Sequence, residues 1–242
     1  MESMKIEKLM MPNTENVCYA EENEPFVDVE KYTAGKVFAD MQYYKQGREG
    51  AIPIAYLRKS VAEKLLQAAA FLPKGYAFKI FDAWRPYAVQ KSLYDEYFDK
   101  LKASNPTHTE EQLHESAKTF VSFPDKTKRF AYVHSSGGAV DLTIVDEKGV
   151  EVDMGTPFDD FSPFSAMYAL EEEEDFPAKK NRRLLYHAMK KAGFTNYPSE
   201  WWHYDYGDIF WGAITGLPVK YPSVYTEDEI LELNNHGGAV KI

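Results

Sequence analysis

Apolar side chains recur at intervals of three or four residues in two stretches of the chain, which is the spacing of one face of an α-helix. Residues 54–72 predict the first helix, and Pro73 and Gly75 are expected to end it. The apolar positions of this helix are Leu57, Val61, Leu65 and Ala68. Residues 181–194 predict a second, amphipathic helix with Gly193 as its C-terminal stop.

Two more helices are indicated by the residues of their first turns. Pro86 suits the start of a helix within residues 84–102, because a proline in the first turn loses no hydrogen bond. Thr109 and Gln112 have the spacing of a capping box, in which each side chain satisfies the other residue's free backbone N–H. A further helix is therefore predicted from Thr109.

Apolar and polar residues alternate in two shorter stretches, as they do in a strand with one face in the core. Residues 76–82 predict one strand and residues 139–144 another, and the aromatic stretch 197–208 predicts a third. The apolar face of the strand at 139–144 consists of Val140, Leu142 and Ile144. Asp141 must therefore point to its other face. The mixture predicts an α+β fold, a small antiparallel sheet with helices packed on it.

Length and composition favour a single domain. The chain has 242 residues, of which 44% are hydrophobic and 15% are aromatic, and this is ample for a packed core. We expect one domain over residues 1–242. Its first stretch, about residues 1–50, is polar and is expected to wrap around the rest.

Charge and cysteine content exclude several kinds of partner. The formal charge of −10 disfavours nucleic acid and anionic membranes, because phosphate binding needs clustered Lys and Arg. No apolar run reaches the length of a membrane span, and the N-terminus lacks the apolar segment of a secretory signal. A cytoplasmic protein is expected, with a periplasmic protein whose leader has been removed as the alternative. Cys18 is the only cysteine, so neither an internal disulfide nor a cysteine-based zinc site is expected.

The stretch AYVHSSGGAVDLTI, residues 131–144, carries the first candidate for chemistry. Gly137 and Gly138 permit a tight turn that can bring His134 back beside Asp141. A neutral imidazole and a carboxylate on neighbouring backbone are good zinc ligands. The alternative is a surface histidine and a strand-end aspartate that flank a turn by chance.

The stretch SEWWHYD places Glu200 and His203 three residues apart, with Trp201 and Trp202 between them. His203 would complete a set of three protein ligands with one open position, and Glu200 would be the base for a metal-activated water. On a regular strand, residues three apart point to opposite faces. Both can serve one site only if the chain bulges or turns there. The alternative is an aromatic core segment with a buried, hydrogen-bonded histidine.

The stretch FDAWRPY places Arg85 between a predicted strand and a predicted helix. The residue before a proline favours an extended backbone, so Arg85 can project from the end of the strand. Its guanidinium is suited to stabilising the oxyanion of a tetrahedral intermediate, with Asp82 orienting it through a charge-assisted pair. The alternative is a purely structural Asp–Arg pair at a strand–helix junction.

Together these stretches resemble the D-alanyl-D-alanine dipeptidases of the vancomycin-resistance type, the VanX-like branch of the M15 zinc peptidases. The family pattern Ser-x-His-x-x-Gly-x-Ala-x-Asp matches residues 132–141 at every fixed position except the first. The pattern Glu-x-x-His matches residues 200–203, and Asp-x-Tyr-Arg-Pro is similar to residues 82–86. The resemblance spans roughly residues 30–210.

The resemblance implies the M15 peptidase fold, which is hedgehog- and DD-peptidase-like, and an enzyme that hydrolyses the D-alanyl-D-alanine dipeptide of peptidoglycan metabolism. It implies one zinc ion per chain, held by His134, Asp141 and His203. Glu200 would be the general base and acid, and Arg85 would stabilise the transition state.

The resemblance also implies how a small dipeptide is selected. Asp159, in the stretch DMGTPFD, matches the carboxylate that receives the free amino group of the substrate. Asp82 and Trp202 are expected directly behind the reacting groups. Tyr132 stands where the family has a substrate-binding serine, and Phe26 is the nearest equivalent of a pocket tyrosine near the N-terminus. These departures put the preference for D-alanyl-D-alanine in doubt.

Other features stay open in the sequence. Trp84 replaces the usual tyrosine before Arg85, and the C-terminal extension from about residue 212 to 242 matches nothing in the family pattern. A zinc D,D- or L,D-carboxypeptidase acting on peptidoglycan stem peptides is one alternative function. A non-catalytic module that binds wall peptides is another, against which Glu200 argues, since a binding module needs no base. A homo-oligomer is left open.

Overall fold

A computed structural model of the chain describes residues 4–118, 121–160, 162–173 and 177–236. Its strands are β1 (Phe26–Asp28), β2 (Val37–Ala39), β3 (Tyr56–Arg58), β4 (Ala77–Asp82), β5 (Ala139–Val145), β6 (Thr195–Asn196) and β7 (His203–Asp205). Its helices are α1 (Val29–Tyr32), α2 (Gln42–Lys45), α3 (Lys59–Ala69), α4 (Tyr87–Ser104), α5 (Glu110–Lys118), α6 (Pro177–Lys191), α7 (Ile209–Thr215) and α8 (Glu227–His236). The α+β class predicted from the sequence is confirmed.

The central sheet has the strand order β2-β4-β5-β7-β6. Its pairings are antiparallel except at one edge, where β2 runs parallel to β4. The sheet is therefore mixed, and the prediction of a purely antiparallel sheet is wrong at that edge. The prediction of a wrapping segment is also incomplete, because residues 37–39 of that segment supply the parallel edge strand.

Strand β5 lies in the middle of this sheet, and each of its seven residues is buried. Helices α3 and α6 cover one face of the sheet, with Leu65 and Leu185 fully buried among its side chains. The apolar face of β5 packs there, as its alternation predicted. Its opposite face, which carries Asp141, is therefore left to line a polar site.

Most of the predicted elements are confirmed, with shifted ends. Strand β4 and strand β5 lie where alternation placed them, and α6 ends before Gly193, whose φ is +97°. The capping box is present: Gln112 accepts from the N–H of Thr109 at 2.9 Å, and the Thr109 hydroxyl accepts from the N–H of Gln112 at 3.3 Å. Helix α4 begins directly after Pro86.

Two predicted elements are wrong in part. Residues 56–58 are not helical, because they pair with β1 in a separate two-stranded sheet, so Leu57 reaches the core from a strand. In the aromatic stretch 197–208, only His203–Asp205 form a strand. The residues before it make a turn, in which the N–H of Glu200 donates to the carbonyl of Tyr197.

The C-terminal extension is packed against the domain as far as the structure describes it, and residues 237–242 lie outside that part. A C-terminal strap, residues 222–225, crosses the loops near the end of β4. The N–H of Val224 donates to the Ser135 carbonyl at 2.8 Å, and the Val224 carbonyl accepts from the Trp84 indole at 2.8 Å. Helix α8 follows the strap, and its Asn234 amide hydrogen-bonds both backbone groups of Phe26.

No described helix is both long enough and apolar enough to cross a membrane.

Arg58 is a fully buried cation that joins three separate parts of the chain. Its guanidinium donates to the carbonyls of Ser136 at 2.8 Å, Glu24 at 2.6 Å and Pro222 at 3.1 Å. Burial lowers the pKa of Arg58 only to about 10, so the side chain stays charged at neutral pH. The three carbonyls belong to loops that have no neighbouring strand at this point. Arg58 therefore supplies the hydrogen-bond donors that a strand would otherwise provide.

Replacement of Arg58 with methionine should therefore lower the free energy of unfolding by about 3 kcal/mol, because buried carbonyls are left without donors. Urea unfolding followed by circular dichroism measures the change. Lys59→Met is the matched control, since Lys59 is exposed and its pair with Glu63 spans 3.7 Å. Equal unfolding midpoints for the two variants would show that Arg58 does not hold these loops.

Candidate metal centre

His134, Asp141 and His203 meet at one end of the central sheet. One ligand atom from each lies within 4.8 Å of the others, and all three side chains are buried. Asp141 and His203 are direct partners across β5 and β7. His134 comes from the 3-10 turn Val133–Ser136, which leads into β5. Among the described residues, these three form the one group of His, Cys, Asp and Glu side chains spaced to hold a metal ion.

The glycines of the turn are required by their surroundings. Gly137 has φ +73°, a left-handed conformation that costs other residues energy. A Cβ on Gly137 would lie 2.2 Å from the ring of Phe26, and a Cβ on Gly138 would lie 2.6 Å from the carbonyl oxygen of Tyr206. The backbone therefore approaches its neighbours too closely for any side chain, and this brings His134 next to Asp141.

Hydrogen bonds determine which ring nitrogen each histidine has left to coordinate a metal ion. Nδ1 of His134 donates to the Ala83 carbonyl at 2.7 Å, which leaves Nε2 as the acceptor atom. Nε2 of His203 donates to Asp205 at 2.8 Å, which leaves Nδ1 facing Asp141 Oδ1 at 2.9 Å. The two free nitrogens are 3.2 Å apart. Two imidazole nitrogens and a carboxylate thus converge, a set of groups that suits a divalent ion once the imidazoles are neutral.

The buried charged groups of the site also shift one another's protonation. Although burial disfavours its charge, the imidazoles of His134 and His203 hold the pKa of Asp141 far below its ordinary value. Burial likewise opposes the charge of His203, but Asp205 and Asp141 raise its pKa well above the ordinary value. The sequence analysis missed Asp205. Its position two residues after His203 on the same strand was the available signal, since such residues share a face.

Glu200 enters the site from the turn before β7, with its carboxylate 3.8 Å from His203 Nδ1. The turn removes the difficulty that residues three apart on a regular strand face opposite ways. Burial raises the pKa of Glu200 to about 8, so its carboxyl can exchange a proton near neutral pH. Trp202, two residues on, lies in the wall of the same pocket and packs edge-on against Phe158.

Arg85 reaches the site from the end of β4. Its Nε donates to Asp82 Oδ2 at 2.7 Å, and its Nη2 lies 3.6 Å from Asp141 Oδ2. A bulge in β4 places Asp82 correctly: Ile80 pairs with Leu142, but Asp82 pairs with Asp141, so β4 has one residue more than β5 here. Simple alternation would have put Asp82 on the core face beside Ile80.

Asp159 lines the opposite side of the pocket and has φ +60°, in the left-handed region. The Tyr43 hydroxyl donates to its carboxylate at 3.0 Å, and burial raises the pKa of Asp159 to about 6. The ring of Tyr43 also lies 5.0 Å from the Arg85 guanidinium. Tyr43 was missed by the sequence analysis, because it lies in a short helix outside every recognised motif.

Two residues expected in the substrate pocket behave differently from one another. Phe26 lies in a core cluster, buried against Trp84 and Arg58, and is not among the residues that line this pocket. Tyr132 does line the pocket, but its hydroxyl donates to the Arg85 carbonyl at 3.0 Å. The pocket is lined by Tyr132 together with Arg85, Asp159 and Glu200. Its volume is about 310 Å³, which is the size of a small ligand.

Comparison with known proteins gives a consistent set of relatives. Residues 30–226 match the Peptidase_M15 family, described as D-ala-D-ala dipeptidase. The D-alanyl-D-alanine dipeptidase of Synechocystis sp. is 30% identical over 174 residues, which cover 64% of this chain and 70% of the relative. That of Escherichia coli (strain K12) is 42% identical over 72 residues, which cover 30% of this chain and 36% of the relative.

A solved structure is similar at a lower level. It is a mutant of the vancomycin-resistance D,D-pentapeptidase VanY from a VanB-type cassette, in complex with Zn(II). The two chains are 18% identical with a TM-score of 0.41, over 73% of this chain and 84% of that chain. This likeness is too weak to transfer the role of any residue.

The hydrogen bond from His203 to Asp205 generates a prediction about metal affinity. Asp205→Ala should weaken binding of Zn²⁺ by about 10- to 100-fold, since the imidazole loses the group that fixes its tautomer and orientation. Competition titration of the purified protein against a chelator measures the affinity. Asp205→Asn keeps an acceptor for His203 and should bind more tightly than Asp205→Ala. Unchanged affinity in both variants would refute the role of Asp205.

Proposed function

The chain belongs to the Peptidase_M15 family of D-ala-D-ala dipeptidases, and on that premise we propose that it hydrolyses the D-alanyl-D-alanine dipeptide with zinc as its metal ion. The observation that carries the proposal is the convergence of His134, Asp141, His203, Glu200 and Arg85 on one pocket of dipeptide size. The family makes the protein a metallopeptidase, and the pocket suggests which peptide it takes.

His134, Asp141 and His203 would hold the zinc ion, since two imidazole nitrogens and one carboxylate oxygen leave a fourth position open for catalysis. When bound, zinc supplies Lewis-acid chemistry, which makes a water molecule acidic enough to ionise near neutral pH. Asp205 and the Ala83 carbonyl, through their hydrogen bonds, would orient both imidazoles to hold such an ion. The rest of the reaction depends on residues of the chain itself.

Glu200 is placed to move the protons of the reaction. Its carboxylate takes the proton of the attacking water as the water adds to the scissile carbonyl. The same carboxyl then delivers that proton to the departing amine, so one residue serves both steps. Its carboxylate lies 3.8 Å from Nδ1 of His203, close to the three candidate ligands, and its side chain is 20% exposed.

Arg85 is placed to stabilise the negative charge that develops on the carbonyl oxygen. Its Nη2 is the guanidinium nitrogen nearest Asp141 and so points into the metal pocket. Although burial opposes its charge, Asp82 keeps the pKa of Arg85 above the ordinary value, so the cation persists throughout the working pH range. A fixed cation aimed at a developing oxyanion contributes to the transition state rather than to the ground state.

Asp159 is proposed to select a free dipeptide. The terminal ammonium of a dipeptide would pair with this buried carboxylate, which Tyr43 orients by its hydroxyl. A peptide acylated at that nitrogen has no ammonium, and its extra atoms would meet Asp159 instead. The clamp therefore favours dipeptidase over carboxypeptidase activity.

A D,D- or L,D-carboxypeptidase is the second candidate, and one feature favours it. A further cavity of about 570 Å³ lies beside Asp159 and is also lined by Phe158 and Gln46. A shift of the loop at Asp159 would join this cavity to the metal pocket and admit a longer stem peptide.

Glu200→Gln should lower kcat by at least about 100-fold, because the side chain keeps its size but can no longer accept a proton. Release of D-alanine from D-alanyl-D-alanine measures turnover, and elemental analysis should still find one zinc ion per chain. Near-normal turnover in this variant would refute Glu200 as the base. Loss of zinc would instead make it a ligand.

Asp159→Asn is expected to lower kcat/KM for D-alanyl-D-alanine by about 10- to 100-fold, since a charge-assisted hydrogen bond to the substrate is lost. Asparagine tolerates the left-handed backbone of Asp159, so the loop should keep its shape. Asp160→Asn is the matched control, because among the described residues the Asp160 carboxylate hydrogen-bonds its local neighbour Ser162.

The same assay decides between the two candidate functions when N-acetyl-D-alanyl-D-alanine is tested beside the free dipeptide. Wild-type protein should cleave the free dipeptide alone. Equal cleavage of the acetylated substrate, unaffected by Asp159→Asn, would contradict the ammonium clamp and identify a carboxypeptidase.

A further inference from the structure

The guanidinium of Arg85 has three nitrogens, and each faces a different group. Nε donates to Asp82 Oδ2 at 2.7 Å, and Nη1 donates to Gln90 Oε1 at 2.8 Å. Nη2 is left facing the metal pocket, 3.6 Å from Asp141 Oδ2. Because a guanidinium is planar, two fixed nitrogens determine where the third one points. Asp82 and Gln90 together therefore aim Nη2.

Gln90 is itself held in one orientation. It lies on α4, one turn after Arg85, and only 1% of its surface is exposed. Its Nε2 donates to the Ser122 carbonyl at 2.7 Å, while its Oε1 accepts from Arg85. If the amide were flipped, its NH2 group would face the donor Nη1 of Arg85, and its oxygen would face the acceptor carbonyl of Ser122. The observed orientation is therefore the one that satisfies both contacts.

We propose that Gln90 is a positioning residue for the reaction: it holds the Arg85 guanidinium so that Nη2 faces the oxyanion of the substrate. The inference rests on the proposed function, in which Arg85 stabilises that oxyanion. Gln90 does not need to touch the substrate, because both polar ends of its amide are already committed to the protein.

A neutral amide is the side chain that suits this task. Asp82 already supplies the anion that keeps Arg85 charged, and Asp141 adds a second negative charge nearby. A third carboxylate would draw more of the guanidinium's attraction away from the substrate oxygen. The amide oxygen instead fixes the orientation of the guanidinium without neutralising its charge. Orientation matters in a preorganised site, because a misdirected cation stabilises the transition state less.

The competing role for Gln90 is a structural tie between α4 and the segment around Ser122. The two roles predict different behaviour for two variants. Gln90→Met removes both contacts, whereas Gln90→Glu keeps an acceptor for Arg85 and loses the donor for Ser122. A positioning role makes Gln90→Glu the milder change, and a structural tie makes the two equally harmful.

The first experiment measures kcat and KM for D-alanyl-D-alanine in the zinc-loaded protein. Gln90→Met should lower kcat by about 10- to 100-fold and leave KM within about 3-fold, because the contact acts only in the transition state. Gln90→Glu should lose less of kcat than Gln90→Met. Lys91→Met on the same helix is the matched control, since Lys91 is exposed and pairs only with Asp95, and it should leave both constants unchanged.

A second experiment tests whether Gln90 acts through Arg85. Calorimetry measures binding of a phosphinate analogue of D-alanyl-D-alanine, a tetrahedral anion, to wild type, Gln90→Met, Arg85→Met and the double variant. Gln90→Met should weaken binding about 10-fold in wild type and not at all in the Arg85→Met background. Equal weakening in both backgrounds overturns the proposal.

The outcomes separate this inference from the proposed function. A wild-type protein that hydrolyses neither the free nor the acetylated dipeptide refutes the proposed function and the positioning role together. An active wild type with an unchanged Gln90→Met variant refutes the positioning role alone. Equal loss of kcat in Gln90→Met and Gln90→Glu, with lowered thermal stability in both, assigns Gln90 to the structural tie.

Discussion

The site depends on the register of three neighbouring strands. Asp82, Asp141 and His203 lie in one row across β4, β5 and β7, because Asp141 is the pairing partner of both. A slip of one residue in either ladder would turn one of these side chains to the opposite face of the sheet. The apolar face of β5 prevents such a slip, since it would bring Asp141 into the core in place of Val140 or Leu142. Burial of ordinary hydrophobic residues thus sets the geometry of the polar ones.

A second constraint is that buried carbonyls in loops outside the sheets still need hydrogen-bond donors. Arg58 and Arg182 are both buried, and within the described part of the chain neither guanidinium hydrogen-bonds a carboxylate. Each guanidinium donates instead to backbone carbonyls of irregular segments. The planar guanidinium with its five N–H groups can satisfy several carbonyls at once, which a lysine cannot. Arg58 in this way ties the Ser136 carbonyl, in the His134 turn, to the segments at Glu24 and Pro222.

Much of the site could be predicted because its residues lie in short, continuous motifs. The turn at His134, the strand at Asp141 and the pair Glu200 and His203 each combine a backbone signal with a chemical one. Tyr43 and Gln90 gave no such signal, because their importance comes from contacts that the chain makes only after folding. Phe26 was misplaced for the same reason, since its ring fills the space that Gly137 leaves beside the turn.

The fold could be predicted where periodicity was unambiguous, as in β5, and was misjudged where two structures share one pattern. Leu57 fits a helical spacing, yet its backbone is extended because β1 offers it a partner. The bulge in β4 left no trace in the alternation of residues, and it is this bulge that turns Asp82 toward the site.

The C-terminal strap has a consequence for the order in which the protein is made. Val224 connects the His134 turn to the indole of Trp84, so the segments that carry two candidate site residues, His134 and Arg85, share one support. Translation adds residues 222–225 after residues 82–205, so the segments that carry the candidate site are made before the strap that joins two of them. In a nascent chain the His134 turn and the Trp84 segment therefore lack this connection until residues 222–225 have been added.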